Sequence, residues 1–173
     1  MKKFYLFFVG LFVFTMTTSL QAQEQYKMQS MFVYNFTRMI AWPQAYQSGD
    51  FVIAVYGNSP IINEFNEMAA SRQVGSQRIV VRQFNSLSDI QRCHILFIGG
   101  NQTRNIAQVV AKLKEDRIAA LVVSDAPSSL NNGSVVNFVM DGGRQRYELS
   151  EGNARAMGLT LGAEMTRLAI AVK

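Results

Sequence analysis

Apolar segments typical of strands and of helices alternate along residues 51–124, and this alternation constrains the fold more than any other feature of the sequence. Phe51–Tyr56 is rich in Val and Ile, as a buried strand is, and Ser59-Pro60 is a pair that commonly opens a helix. The further predicted elements are strands at 79–81, 93–98 and 119–124, one helical turn at 87–91 and a helix over 101–114. Strands that alternate with helices form a mainly parallel sheet. We therefore predict an α/β fold, with a mainly parallel sheet and helices on both of its faces.

The segment before this region predicts one more helix. Between Glu24 and Ala41, apolar side chains recur at steps of three and four residues, which is the pattern of an amphipathic helix. Trp42-Pro43 ends the predicted helix, because proline disfavours helical geometry in the residue before it.

The last third of the chain changes character. Val135–Met140 and Gln145–Leu149 flank Asp141-Gly142-Gly143, a strong turn signal, so we predict a C-terminal antiparallel hairpin added at one edge of the sheet. Ser150 then opens a short helix that Gly158 closes. A last helix is predicted over Ala163–Ala171, with core-facing residues at Met165, Leu168, Ala169 and Val172.

The first 22 residues have the three parts of a secretory signal peptide. Lys2 and Lys3 precede an apolar run, Phe4–Phe14, and a polar exit ends at Ala22. We therefore expect an exported protein, with residues 1–22 as the signal peptide and residues 23–173 as a single α/β domain. A retained N-terminal anchor is the alternative, and the absence of a charged stop-transfer flank makes it the less favoured one.

The charge of the chain argues against a nucleic-acid partner. The formal net charge is +5, and Lys2 and Lys3 contribute two of these charges. The other Lys and Arg residues form no run and do not alternate with aromatic residues, as a nucleic-acid surface would require.

Cys93 is the only cysteine, so the chain cannot form an internal disulfide. It lies at the start of the apolar run Cys93–Ile98, which favours a buried thiol that packs as a small hydrophobic side chain. An intermolecular disulfide through Cys93 is the alternative.

The sequence offers little for catalysis. His94 is the only histidine, and it cannot pair with Cys93 because neighbouring residues of a strand point to opposite faces. A strand histidine bonded to a backbone or water partner is the favoured interpretation.

One His and one Cys nearly exclude a conventional zinc site, which needs three or four such ligands. A hydrolase that uses Ser124 or Cys93 is disfavoured because no base is placed for either, so we predict no enzyme activity, metal or cofactor.

Two loops at the carboxyl ends of neighbouring predicted strands define one candidate ligand crevice. Open α/β sheets bind ligands at this edge, and the backbone amides of a loop that starts a helix can hold an anion. The alternative interpretation needs no ligand. The first loop is then a tight turn with a helix cap, and Asp125 caps the turn before Pro127. The residues of the candidate crevice are Gly99, Gly100, Asn101, Ser124 and Asp125.

Several segments in collinear order resemble a family of small exported proteins, the YfiR-like family. An aliphatic-Tyr-Asn-Phe run that leads to Trp-Pro, found here at Met31–Pro43, is similar to the opening pattern of that family. The other similar segments are Cys93–Ile98, Leu121–Asp125, Arg146–Ser150, Ala154–Leu159 and Leu168-Ala169. The match runs from about Tyr26 to the C-terminus.

The resemblance implies a periplasmic signalling protein that acts by binding. In its best-understood form such a protein holds an inner-membrane diguanylate cyclase inactive and lowers cyclic-di-GMP output, whereas other members accompany membrane histidine kinases. We therefore expect a periplasmic regulator that acts by protein–protein contact as a homodimer. Its expected contact residues, on the late hairpin, are Arg144, Arg146 and Tyr147. A small-molecule sensor that works with a histidine kinase through the Gly99–Asp125 crevice is the alternative.

Overall fold

The structure, a computed structural model, describes residues 23–173. The predicted signal peptide lies outside these residues. The helices are α1 (23–36), α2 (Ile61–Ser71), α3 (Ile106–Glu115), α4 (Glu151–Ala156) and α5 (Ala163–Leu168). The strands are β1 (Ile40–Ala41), β2 (Phe51–Tyr56), β3 (Gln73–Val74), β4 (Gln77–Phe84), β5 (Ile95–Ile98), β6 (Leu121–Ser124), β7 (Val136–Asp141), β8 (Arg144–Leu149), β9 (Thr160–Leu161) and β10 (Ala171–Val172). Among the described residues, no helix is long and apolar enough to cross a membrane.

The main sheet has the strand order β10-β8-β7-β6-β5-β2-β4-β3. The five strands from β7 to β4 in this order are mutually parallel, and β8 runs antiparallel to β7. The hairpin closes through Gly142 and Gly143, which both have the positive φ that a type I′ turn requires. The mainly parallel sheet and the antiparallel hairpin towards one edge confirm the predicted α/β fold.

Helices lie on both faces of the sheet because the two crossovers run in opposite directions. The chain passes from β2 through α2 to β4 on one side of β2, and from β5 through α3 to β6 on the other side. Right-handed crossovers that diverge in this way place their helices on opposite faces. Every residue of β2, β5 and β6 is therefore buried, as expected of strands that are covered twice.

The helix predicted up to Ala41 ends at Phe36, so this prediction is wrong in its last five residues. The last carbonyls of α1 accept from the amides of Thr37, Arg38 and Met39 in tight turns. Side chains add to this end: the Thr37 hydroxyl donates to the carbonyl of Tyr34, and the Trp42 indole donates to that of Thr37. Ile40–Ala41 then forms β1, whose backbone pairs antiparallel with β9.

The last predicted helix is also too long. It ends at Leu168, and the next residues return to the sheet, because the Ile170 amide donates to the carbonyl of Tyr147 and the Lys173 amide to that of Leu149. Met165 faces the core as predicted, but Leu168 and Val172 are exposed, so their predicted core positions are wrong.

Candidate functional site

An open groove of about 940 Å³ lies between α1, the β7–β8 hairpin and α5. We call it the hairpin groove. It is lined by apolar side chains from all three elements, namely Met28, Phe32, Met140 and Leu168, and by the three arginines Arg144, Arg146 and Arg167. Glu24 and Gln25 lie at its end on α1. The groove thus combines an apolar lining with a basic rim.

A cluster of four aromatic rings fixes α1 against the hairpin. Phe32 and Phe36 from α1 contact Phe138 of β7 and Tyr147 of β8, with ring centroids 5.0 to 6.2 Å apart. Phe138 and Tyr147 are paired across the two strands, so they stand side by side on one face of the sheet. This cluster determines where α1 lies and therefore sets one wall of the hairpin groove.

Tyr147 forms part of the groove lining, but it is almost fully buried. Its hydroxyl donates to the backbone carbonyl of Met165 at 2.6 Å and so joins β8 to α5. Burial raises the pKa of the phenol to about 12, which keeps it protonated as a donor. The buried Tyr147 side chain therefore stabilises the base of the hairpin groove.

Arg144 and Arg146, which the sequence predicts as contact residues, are both exposed on the rim of the groove. Neither Arg144 nor Arg146 takes part in an ion pair among residues 23–173, whereas Arg167 lies 3.6 Å from Glu164. The rim therefore offers two guanidinium groups that have no carboxylate partner within the described chain. Their contact with a partner protein stays a prediction.

The groove also exposes large apolar side chains. Met28 is 44% exposed, Met140 56% and Leu168 42%. None of the three was predicted as a site residue, since Met28 belongs to the apolar stripe of α1 and Leu168 was expected in the core. Alternation along β7 places Met140 on the same face as Phe138, beyond the part of that face that α1 covers. Apolar residues at this strand end are the signal that could have indicated the groove.

The predicted crevice is only partly assembled. Gly99 and Asp125 lie together, because Asp125 Oδ1 is 3.2 Å from the position that a Cβ atom on Gly99 would occupy. Gly100 is exposed and has a φ of +61°, and Asn101 follows it in the same turn. Burial raises the pKa of Asp125, against the backbone hydrogen bonds from Gly100 and from Asp125 itself.

The hydrogen bonds of the Ser124 side chain occupy it within the protein, so it is not available to a ligand in the crevice. Its side chain is fully buried and bonds to the hydroxyl of Ser134 at 2.7 Å and to Asn137 Oδ1 at 3.0 Å. The same Asn137 oxygen accepts from the Ala126 amide. These bonds tie the loop after β6 to β7, so Ser124 has a structural function. Ligand binding by the Gly99–Asp125 crevice stays a prediction.

The histidine and the cysteine behave as structural residues. His94 is buried, and both of its ring nitrogens bond to backbone groups, as predicted. The strand predicted over residues 93–98 begins only at Ile95, so His94 directly precedes β5. Cys93 is fully buried, and burial raises the pKa of its thiol to about 12, so it is not a thiolate nucleophile. Within residues 23–173, no three potential metal ligands of the His, Cys, Asp or Glu type come together.

Comparison with known proteins gives two further findings. The model of the YfiR/HmsC-like family matches residues 26–170. The crystal structure of a conserved domain protein from Vibrio cholerae O1 biovar eltor strain N16961 has a similar fold, with a TM-score of 0.57 at 10% identity. The similarity covers 86% of this chain and 60% of that protein, so the chain spans about three fifths of the solved protein's length. No protein with a curated description matches the chain.

The family match extends over most of the chain, from α1 to the segment before β10, and includes every element that forms the hairpin groove. At the family level it supports periplasmic regulation of cyclic-di-GMP signalling by proteins that are regulators and not enzymes. The chain belongs to the YfiR/HmsC-like family.

Proposed function

We propose that this protein is a periplasmic regulator that binds the periplasmic part of an inner-membrane diguanylate cyclase through the hairpin groove and holds the cyclase inactive. The observation that carries the proposal is the groove itself. It places exposed Met28, Met140 and Leu168 beside Arg144 and Arg146, whose charges have no carboxylate partner in the described chain. A second copy of the chain completes the proposed regulator as a homodimer.

Methionine and arginine are residue types that protein interfaces favour over the rest of the surface. Full burial of one exposed apolar side chain of this size contributes about 1.5–3 kcal/mol. These three side chains are about half exposed, so a partner that covers them gains roughly half of that from each. The arginines add directional hydrogen bonds to carboxylates of the partner. Apolar anchors beside charged groups on a rim are the usual anatomy of a specific interface.

The charge-reversing double variant Arg144→Glu/Arg146→Glu tests this surface. The measurement is the affinity for the purified periplasmic domain of the diguanylate cyclase encoded nearest to this gene. We expect binding to weaken by roughly tenfold or more, because reversed rim charges repel the partner's carboxylates. The matched control is Arg104→Glu/Arg117→Glu, which reverses two exposed charges on the α3 side of the molecule. Equal affinities of both double variants and the unmodified protein would exclude the groove as the binding surface.

A small-molecule sensor that works with a membrane histidine kinase is the second candidate. The observation that favours it is Asp125, a largely buried carboxyl beside Gly99 that forms none of the ion pairs among residues 23–173. A ligand that binds there raises the melting temperature of the protein by mass action. Thermal-shift screening with nucleotides, amino acids and anions tests this candidate. A shift that Asp125→Asn abolishes would support it, and no shift with any compound would count against it.

A further inference from the structure

Residues 42–49 connect β1 to β2, and we call them the strap. The strap is mostly exposed, but Trp42 and Tyr46 anchor it. The Trp42 indole donates to the carbonyl of Thr37 at 3.0 Å, and the Tyr46 hydroxyl accepts from the Ala119 amide at 2.9 Å. The Tyr46 carbonyl bonds to Nε2 of His94 at 2.8 Å.

His94 has an unusually complete set of contacts. Its Nδ1 accepts from the backbone amide of Val52 at 3.0 Å, and this assigns the proton of the neutral ring to Nε2, which donates to Tyr46. The ring stacks on Phe51 at 4.1 Å, and the rings of Trp42 and Tyr46 meet it edge-on at 5.4 and 5.1 Å. Only the neutral ring can form both bonds at once, because a ring that also carries a proton on Nδ1 cannot accept from the Val52 amide.

We infer that His94 is a proton-sensitive latch, which holds the strap when neutral and releases it when a proton from water binds Nδ1. The new N–H bond then points at the Val52 amide, which is itself a donor. Two donors cannot form a hydrogen bond, so the ring must leave this position or the amide must lose its partner. A ring that leaves this position gives up its stack on Phe51, its edge contact with Trp42 and its hydrogen bond to Tyr46.

The charged groups around the ring give the direction of the pH response. Arg92 lies over the Tyr46 ring at 4.1 Å, and its positive charge opposes a second positive charge on His94. The carboxylate that precedes Phe51, Asp50, is exposed and pairs with Arg78. Tyr46 supplies the other titratable side chain in contact with the ring, and its hydroxyl accepts from the Ala119 amide. Burial above all, together with Arg92, lowers the pKa of His94 from its ordinary 6.5, although the bond to the Tyr46 carbonyl opposes this.

The sign of the effect follows from linkage. Because the pKa of His94 is lower in the folded protein than in the unfolded chain, the unfolded chain binds the proton more readily. The stabilising effect of neutral His94 is therefore complete above pH 6.5 and is lost as the pH falls from there through the lower pKa of the folded state. The latch responds to acidification of the compartment.

The strap connects to both walls of the hairpin groove, and this last step rests on the proposed function. It follows α1 through β1, and the carbonyl of Met39 just before β1 accepts from the Gly162 amide at 2.7 Å. Gly162 directly precedes α5. Release of the strap therefore loosens α1 and α5 together, and we expect acid to open the groove and weaken partner binding.

Trp42 is the only tryptophan, so its fluorescence reports the latch directly. An imidazolium ring in contact quenches indole emission, and solvent exposure shifts it to the red. In the mature protein we expect emission to change with a single-proton titration below about pH 6.5. Over the same range we expect the hydrogen-exchange protection of the strap and of the Val52 amide, corrected for the intrinsic slowing of exchange in acid, to fall. His94→Gln keeps one donor and one acceptor without titrating, so its emission should stay flat. If this variant does not fold, exchange in the unmodified protein decides alone, and protection of the strap that does not change with pH would overturn the latch.

The link to the groove has its own measurement. Spin labels on Met28→Cys and Leu168→Cys report the distance between α1 and α5, and the buried Cys93 does not compete for the label. We expect a longer and broader distance distribution at about pH 5 than at about pH 7.5, and no change in the His94→Gln background. An unchanged distribution while Trp42 titrates would overturn the link to the groove. The affinity of the Arg144→Glu/Arg146→Glu variant decides the proposed function separately.

Discussion

The hydroxyl of Tyr147 donates to the backbone carbonyl of Met165 at 2.6 Å, and this bond joins the hairpin to α5. Both residues are buried, so water cannot readily replace either partner. The bond therefore fixes the distance between two of the three elements that line the hairpin groove.

Removal of this hydroxyl should be costly. Tyr147→Phe leaves the ring in the aromatic cluster but leaves the Met165 carbonyl without its donor, and we expect a loss of about 1–3 kcal/mol in the free energy of unfolding. Urea denaturation measures the loss. Tyr34→Phe is the matched control, since it removes a hydroxyl that bonds to the Gln73 carbonyl at an exposed position, where water can replace it. Equal losses in the two variants would show that burial of the Tyr147 bond is unimportant.

The aromatic cluster should contribute more than this single bond. Phe36 is 1% exposed, and it contacts both Phe138 and Tyr147. Phe36→Ala removes the ring and leaves a cavity, so we expect a destabilisation of about 3–5 kcal/mol in chemical denaturation. Met31→Ala on the same helix is the control, because Met31 is half exposed and should cost well under about 1 kcal/mol. A small effect of Phe36→Ala would mean that α1 is not held by this cluster.

The sequence predicted the elements whose pattern is local. The buried strands at Phe51–Tyr56 and Leu121–Ser124, and the hairpin around Gly142-Gly143, follow from apolar runs and turn residues alone. The ends of α1 and α5 were missed because pairings with distant segments decide them: β1 pairs with β9, more than a hundred residues away, and β10 pairs with β8. Local propensity carries no information about such partners.

The candidate site shows the same division. Arg144 and Arg146 could be proposed from the sequence, since polar residues beside a turn are exposed in most hairpins. The burial of Tyr147 depends on the arrival of Phe36 and Met165 from two other elements. The role of Ser124 depends on Ser134 and Asn137, which the loop after β6 brings into contact. Neither arrangement has a signature in the spacing of the residues.

Ser150 offers a test of the link between β8 and α4. Its side chain accepts from the Asn153 amide at 3.2 Å and so caps the first turn of α4, as the sequence predicts. Ser150→Ala removes the cap, and we expect the free energy of unfolding to fall by about 1 kcal/mol. Ser76→Ala, at an exposed turn position, should leave it nearly unchanged. Thr at position 150 can supply the same oxygen, so failure of Ser150→Thr to retain more stability than Ser150→Ala would argue against capping.

Cys93 should be inert in the folded protein. Its side chain is fully buried just before β5, and burial raises the pKa of the thiol to about 12, so the reactive thiolate is scarce and inaccessible at neutral pH. We expect Ellman's reagent to modify Cys93 only when the molecule opens, with a rate that rises steeply in denaturant and that reports the free energy of opening. The same burial predicts a single monomer band on a non-reducing gel of the oxidised protein. Rapid modification of the native protein, or a disulfide-linked dimer that Cys93→Ala abolishes, would show that the segment before β5 opens readily. It would also restore the intermolecular disulfide as an explanation for the lone cysteine.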